Sequence, residues 1–285
     1  MSRIVFGLMW LAHRLPFRAL AVIGNAVGAL LFWLIPERRR VTRINLEKCF
    51  PQMSVAERER LARAAFRAFC RSFIDRSVLW WGSDERIKRM VRLEGLEHLD
   101  AAAPRTIMLA PHFAGLDAAG IRLSIDRDFS SLYSRQKDPV FDRILLRSRT
   151  RFRARVVSRQ QGLRKVLRWI NSGIPFYYLP DLDFGPKGSI FVPFFGVPAA
   201  TVRGLAYIAR STGARVVPCV TRMLPEGGYV AQFYPAWSDY PSGDDAADAR
   251  RMLAFIEQRV LEMPEQYHWL HKRFKTRPEG APRFY

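Results

Sequence analysis

Apolar and polar positions divide the chain into two textures. Ile4 to Ala12 is apolar, His13 to Arg18 is a basic and proline-containing break, and Ala19 to Ile35 is apolar again with only Asn25 interrupting. A basic stretch, Glu37-Arg38-Arg39-Arg40, comes next. Ser54-Val55-Ala56-Glu57 then has the form of a capping box, and Leu61, Ala64, Ala65, Phe69 and Phe73 recur behind it at helical spacing. The pattern predicts one long helix ending near Trp80. From Val91 the texture changes to short apolar runs alternating with amphipathic segments. Strands are predicted over Thr106 to Ala110, Phe129 to Tyr133, Ala154 to Val157, Ile174 to Leu179 and Ala214 to Val220. Helices are predicted over Gly115 to Ile125, Val140 to Thr150, Leu163 to Ile170 and Val202 to Ser211. Tyr229 to Tyr234 reads as an antiparallel addition and Asp244 to Glu262 as the last long helix. Such alternation predicts an α/β fold: a largely parallel mixed sheet flanked by helices, preceded by a helical N-terminal part. The expected units are a hydrophobic segment at 1–36, a helical part at 37–90 and an α/β domain at 91–285.

The seventeen residues of Ala19 to Ile35 lie at the lower edge of a membrane span, which needs about 20. Whether this segment crosses a bilayer or lies in it stays open. Leu11-Ala12-His13-Arg14 offers no small-x-small cleavage site, so the segment reads as an uncleaved anchor. Arg14, Arg18, Arg38, Arg39, Arg40 and Arg43 bracket it, as expected for a segment held on the cytoplasmic face by anionic headgroups. The competing reading is a pair of ordinary core helices. Charge extends the picture: 46 Lys and Arg against 26 Asp and Glu leave +20 in a 285-residue chain, which calls for an anionic partner. Nucleic acid, anionic lipid and an acidic protein are the candidates. Cys49, Cys70 and Cys219 stand far apart without ligand spacing, so neither a disulfide framework nor a metal site is indicated.

In open α/β sheets the ligand lies beyond the carboxyl ends of the strands, which directs the search to the strand-to-helix turns. The strand Thr106 to Ala110 ends in Pro111-His112-Phe113-Ala114-Gly115-Leu116-Asp117. His112 is suited to act as a general base on a hydroxyl, because imidazole titrates near working pH. Asp117 is the expected partner of its second ring nitrogen, and the Ala114 and Gly115 backbone amides are the expected donors to an oxyanion. The bland alternative is that His112 caps the helix and Asp117 favours its positive end.

The spacing His-x-x-x-x-Asp is also the signature of the glycerolipid-type acyltransferases. LAPHFAGLD (Leu109 to Asp117), LPDLDFGPKGSIFVPFFGVPAAT (Leu179 to Thr201), GLAYIARSTGARVVP (Gly204 to Pro218) and QYHWLHKRFKTRPEG (Gln266 to Gly280) narrow the match. With INLEKCFP at Ile44 to Pro51, the chain resembles the lipid A biosynthesis late acyltransferases over nearly its whole length. That resemblance implies an enzyme of the bacterial inner membrane with its site on the cytoplasmic side. It implies an acyl carrier protein thioester as donor, a hydroxyl on a phosphorylated glycolipid as acceptor, His112 as base and Asp117 as its partner. Two positions depart from the family pattern, which commonly has Asn before the His and Glu as the acid, where this chain has Pro111 and Asp117.

The remaining stretches agree with such chemistry. Ten Arg and two Lys between Arg135 and Arg168, against only Asp138 and Asp142, place a positive field where an acidic carrier or a phosphorylated acceptor would be drawn. Arg135, leaving the strand Phe129 to Tyr133, is the expected phosphate ligand. Asp181 and Asp183 leave the strand Ile174 to Leu179 at the same edge; ordering the site through Lys187 or Arg203, binding a cation, or forming a surface turn are all open to them. Phe191, Phe194 and Phe195, stiffened by Pro193 and Pro198, are suited to an acyl chain, and equally to plain core. No cofactor is expected. A serine hydrolase lacks its GxSxG elbow here, and a nucleotide enzyme its P-loop or GxGxxG. No nucleic-acid module is recognised, so no nucleic-acid partner is expected. Transfer to a lysophospholipid or amino lipid is the runner-up, and a non-enzymatic basic surface binder the alternative outside the enzymes.

Overall fold

The computed structural model describes residues 2–102, 104–159 and 162–285. Five helices come first: α1 (Ser2–Ala12), α2 (Phe17–Leu34), α3 (Pro36–Cys49), α4 (Val55–Trp81) and α5 (Asp84–Met90). Pro16 and Pro36 set two of these boundaries, because a proline opens a helix easily and cannot continue one. The capping box at Ser54 is formed: its hydroxyl accepts the Glu57 amide at 3.2 Å, and its own amide donates to the Glu57 carboxylate at 2.7 Å. The apolar helix α2 lies along α4 through Gly24 and Gly28. A methyl on either glycine would come within 2.5 Å of the Arg71 or Arg67 Cα, so only glycine permits this approach. Leu20, Ala21 and Phe32 share the buried face, whereas Val22, Ile23, Leu30, Trp33 and Leu34 point away from the protein.

The rest of the chain builds the sheet and its covers. In order come β1 (Val91–Glu94), α6 (Leu96–Ala101), β2 (Thr106–Leu109), α7 (Leu116–Asp126), β3 (Phe129–Tyr133), α8 (Pro139–Arg149), β4 (Ala154–Ser158), α9 (Leu163–Asn171) and β5 (Phe176–Tyr178). The chain continues with β6 (Ser189–Phe194), β7 (Val197–Val202), α10 (Gly204–Thr212), β8 (Arg215–Met223), β9 (Tyr229–Phe233) and α11 (Asp245–Glu262). A seven-stranded sheet has the order β1-β9-β8-β2-β5-β3-β4. All its neighbours are parallel except β8 and β9, which form the expected antiparallel addition. The fold is thus α/β with a mostly parallel mixed sheet. Four elements of this half of the chain are absent from the predicted pattern: β1, α6, β6 and β7. Residues 189–202 form a separate antiparallel hairpin, β6 and β7, turned by Phe195 and Gly196 at positive φ, the geometry a two-residue hairpin turn demands.

The strand order decides which residues meet the turn after β2. Residues Leu109 and Tyr178 are paired in the parallel β2–β5 ladder, and His112 and Asp181 each lie three residues beyond them. Asp181 therefore emerges beside His112. Strand β3 is separated from β2 by β5, so the turn leaving β3 starts one strand further from His112.

Helix α4 is tied to the sheet beneath this turn by a buried pair, the Tyr229 hydroxyl donating to the Asp75 carboxylate at 2.7 Å. Burial pushes the Asp75 carboxyl up to about 6, against the hydroxyl bond and Arg71, which favour the charged form. A carboxyl with a raised folded pKa binds more protons folded than unfolded between about pH 4 and 6, so its contribution to stability falls as pH rises through that window. The shift of about two units corresponds to about 3 kcal/mol at pH 7. Asp75→Asn should remove this slope: the gap in denaturation midpoint between variant and wild type should move in the variant's favour from pH 4 to pH 7.5. A gap that is the same at both pH values would refute the assignment.

Candidate active site

His112 sits on the turn between β2 and α7 with its ring edge facing a cavity of about 440 Å³. Its Nδ1 lies 2.7 Å from Asp181 Oδ1, and its backbone amide donates to Asp181 Oδ2 at 3.0 Å. Asp181 is fully buried. Burial pushes its carboxyl up, but the charge and hydrogen bonds of His112 outweigh that and hold it below the usual carboxylate range. An ionised carboxylate only accepts, so the nitrogen facing Asp181, Nδ1, carries a proton, and in the neutral imidazole the lone pair is then on Nε2. Nε2 has no protein partner among the described residues, which leaves it for a ligand in the cavity.

The expected partner of His112, Asp117, is engaged elsewhere. In the first turn of α7 its carboxylate takes the Arg149 guanidinium at 2.6 Å and the Arg76 guanidinium at 2.7 Å. Burial works against its charge, yet Arg149 and Arg76 prevail and hold the carboxyl far below its ordinary range. All three side chains line the cavity, so this wall carries a net positive charge beside His112. Of the twelve basic residues between Arg135 and Arg168, Arg149 is the one turned inward; the others are exposed.

Several expected site residues lie elsewhere too. The Ala114 amide donates to the Gln266 carbonyl at 2.8 Å and is not free for an oxyanion. Gly115 is absent from the cavity wall, because its Cα faces Thr221 and Tyr229, where a methyl would meet their side chains at 2.5 and 2.6 Å. Arg135 is 82% exposed, loosely paired with Asp142 at 3.9 Å, and off the cavity; with β5 between β3 and β2, Arg159 rather than Arg135 reaches the mouth, over the Phe184 ring. Lys187 is exposed, and Arg203 pairs with Asp245 at 3.4 Å, so neither orders the two aspartates. The chain's end does so instead. Tyr267 donates its hydroxyl to Asp181 Oδ2 at 3.2 Å, while Thr276 donates its amide and hydroxyl to Asp183 at 2.6 and 2.8 Å. A cation at Asp183 would have to displace these donors, and no cluster of three metal-ligating side chains occurs among the described residues.

The three phenylalanines do not line the cavity. Phe194 is buried against Tyr267, Phe274 and Arg273, Phe195 packs on Phe50, and Phe191 is 42% exposed on the hairpin. Residues from α7, α8, β3 and β4 supply the apolar wall: Ile121, Leu145, Phe129, Leu132, Ala154 and Val156.

Residues without a spacing signal complete the site. Tyr267, Arg76 and Arg149 belong to segments distant in sequence, and only the strand order brings them together. His268 lies over His112 with ring centroids 6.4 Å apart and stacks on Phe69 at 5.3 Å. Burial, with the charges of His112 and His271, lowers it to about 3, so it forms an uncharged wall at neutral pH. The arrangement can take a proton from a hydroxyl at Nε2, stabilise the imidazolium through Asp181, and shelter an apolar chain.

Residues 2–276 match the family model described as bacterial lipid A biosynthesis acyltransferase. The chain is 32% identical over 284 residues to the lipid A biosynthesis lauroyltransferase of Escherichia coli K12, covering 98% of this chain and 92% of that protein. It is 33% identical over 268 residues to the myristoyltransferase of the same organism, covering 92% and 81%. A solved 1-acyl-sn-glycerophosphate acyltransferase from Thermotoga maritima aligns over 84% of this chain and 97% of its own, at 16% identity and a TM-score of 0.39. On the family match and these identities over nearly its full length, the chain belongs to the bacterial lipid A biosynthesis acyltransferases and is an acyltransferase.

Proposed function

We propose that this acyltransferase moves a fatty acyl chain from an acyl carrier protein thioester to a hydroxyl of a phosphorylated lipid A precursor, at the cytoplasmic face of the bacterial inner membrane. The observation that carries this reading is the His112–Asp181 pair at the mouth of a cavity with an apolar inner wall. The acceptor hydroxyl gives its proton to His112 Nε2 as its oxygen attacks the thioester carbon. The carbonyl oxygen becomes an oxyanion, met by the net positive charge of the Arg76–Asp117–Arg149 wall rather than by the Ala114 amide. Collapse breaks the carbon–sulfur bond, and the imidazolium returns its proton to the departing thiolate. Asp181 holds the tautomer throughout and offsets the imidazolium charge. The exposed basic residues of α8, β4 and α9 supply an edge suited to an acidic carrier.

The test supplies acyl carrier protein thioester and coenzyme A thioester in turn, with lipid A precursor, a lysophospholipid or an amino lipid as acceptor. Transfer from the carrier thioester to the precursor is expected to be the fastest. Its kcat/KM should fall steeply with salt, since exposed charges are screened over about 8 Å at physiological ionic strength, and the coenzyme A reaction should fall less. Faster transfer to a lysophospholipid would replace the acceptor; equal salt dependence would remove the carrier's docking edge.

A further inference from the structure

The cavity extends away from His112 along β3 and β4. The carboxyl ends of these strands, Tyr133 and Ser158, lie toward the mouth, and the paired residues Phe129 and Ala154 lie four positions back, about 13 Å at about 3.3 Å per residue. Helix α7 covers this path. Asp117 stands near the mouth, and Gly120, one turn on and on the same face, reaches the inner end opposite Phe129.

Gly120 is an unusual residue to find there. Within a helix, glycine is less stable than alanine, so it needs a reason. Gly24 and Gly28 have one, a backbone 2.5 Å from any methyl they might carry. At Gly120 a methyl would meet only ring edges at ordinary contact distance, Tyr177 Cε1 at 3.8 Å and Phe129 Cζ at 3.9 Å. Neither close packing nor a left-handed backbone requires glycine at this position. What the missing side chain leaves is methyl-sized room on the cavity wall, in ordinary contact with those two rings.

We infer that Gly120 sets the length of acyl chain the enzyme accepts, by leaving open the space that the chain's terminal carbons fill. The inference rests on the reading of this cavity as the acyl site. Tyr177, held by its hydroxyl donating to the Leu116 carbonyl at 3.0 Å, forms the fixed opposite wall. A larger side chain at 120 projects between the two rings and shortens the space without touching His112, Asp181 or the arginines.

The experiment compares wild type, Gly120→Ala and Gly120→Leu with saturated acyl carrier protein thioesters of eight to sixteen carbons and a lipid A precursor. Gly120→Ala should keep or raise the thermal midpoint, because alanine favours the helix, and should lower kcat/KM for the longest accepted donors only. Gly120→Leu should move the optimum at least two carbons shorter. Each methylene denied burial costs about 0.8 kcal/mol, about fourfold, so a two-carbon loss lowers kcat/KM for the old optimum about 15-fold relative to the new one. A loss equal at all lengths, or an unmoved optimum in a folded variant, would overturn the inference. Displacement of a fluorescent fatty acid by free fatty acids of the same lengths reads the cavity without turnover. Wild-type protein that binds none of them overturns the acyl-site reading and the inference with it, whereas binding with the same length cut-off in wild type and Gly120→Leu overturns the inference alone.

Discussion

His112→Ala is expected to lower turnover about 100- to 10,000-fold, the loss that accompanies removal of a general base. Asp181→Asn should fall in the same range with the protein still folded. An amide in its place can present its N–H₂ to Nδ1, which forces the proton onto Nε2 and removes the base without moving the ring. Asp117→Asn should behave differently. The carboxylate pairs with two half-buried guanidinium groups and offsets one of their two charges, and breaking a buried pair by removing one partner costs about 3–5 kcal/mol. Its first signature is therefore a lower thermal midpoint, with turnover falling as Arg76 and Arg149 lose their positions. Turnover and thermal midpoint measured on the three variants separate these roles. His112→Ala with more than a tenth of wild-type turnover would end the assignment of the base. Asp181→Asn with full turnover beside an inactive, fully stable Asp117→Asn would return the pairing to Asp117.

The exchange of Asp117 for Asp181 marks the boundary of what the sequence can carry. Buried strands and amphipathic helices are written locally, in periods of two and 3.6 residues, and so β3, α8, β4, α9 and α11 fall within a residue or two of expectation. The place of His112 is equally local, since a strand exit followed by a helix start is readable from a dozen residues. Its partner is a matter of strand order. Nothing near Leu179 says that β5 inserts between β2 and β3, yet that insertion brings Asp181 to His112 and moves Arg135 one strand away. The hairpin of β6 and β7 is hidden for a different reason. Pro193 and Pro198 stand opposite each other in it, and prolines argue against a strand unless the pair is isolated from the main sheet, as this one is. Phe194 then faces Tyr267 and Phe274 as core, and the apolar wall of the cavity is built by α7, α8 and the strands beneath them.

The second large effect is expected at the N-terminus, where α1 and α2 present an apolar face to the outside. Ile4, Leu8 and Leu11 on α1 and Val22, Leu30 and Leu34 on α2 are exposed, while Gly24, Gly28 and Phe32 hold α2 to α4. Helix α2 is thus not a core helix with all sides covered: one side packs on protein and the other is an exposed apolar surface. Arg14, Arg18, Arg38 and Arg40 are exposed around it, where headgroup phosphates would lie if the helices rest in the cytoplasmic leaflet. Under the proposed function, this face would hold the enzyme at the bilayer that carries its lipid acceptor. Leu8, Val22 and Leu30 are 61%, 67% and 58% exposed, so glutamates in their place cost the fold little. In a bilayer each of the three side chains is worth about 1.5 kcal/mol or more, and their joint loss should weaken binding to vesicles containing anionic lipid by about 1,000-fold. The triple variant should keep its thermal midpoint and its turnover on detergent-dispersed acceptor while losing turnover on acceptor embedded in vesicles. Unchanged sedimentation with vesicles would show that this face does not meet the membrane, and full turnover on the embedded acceptor would show that catalysis does not depend on it.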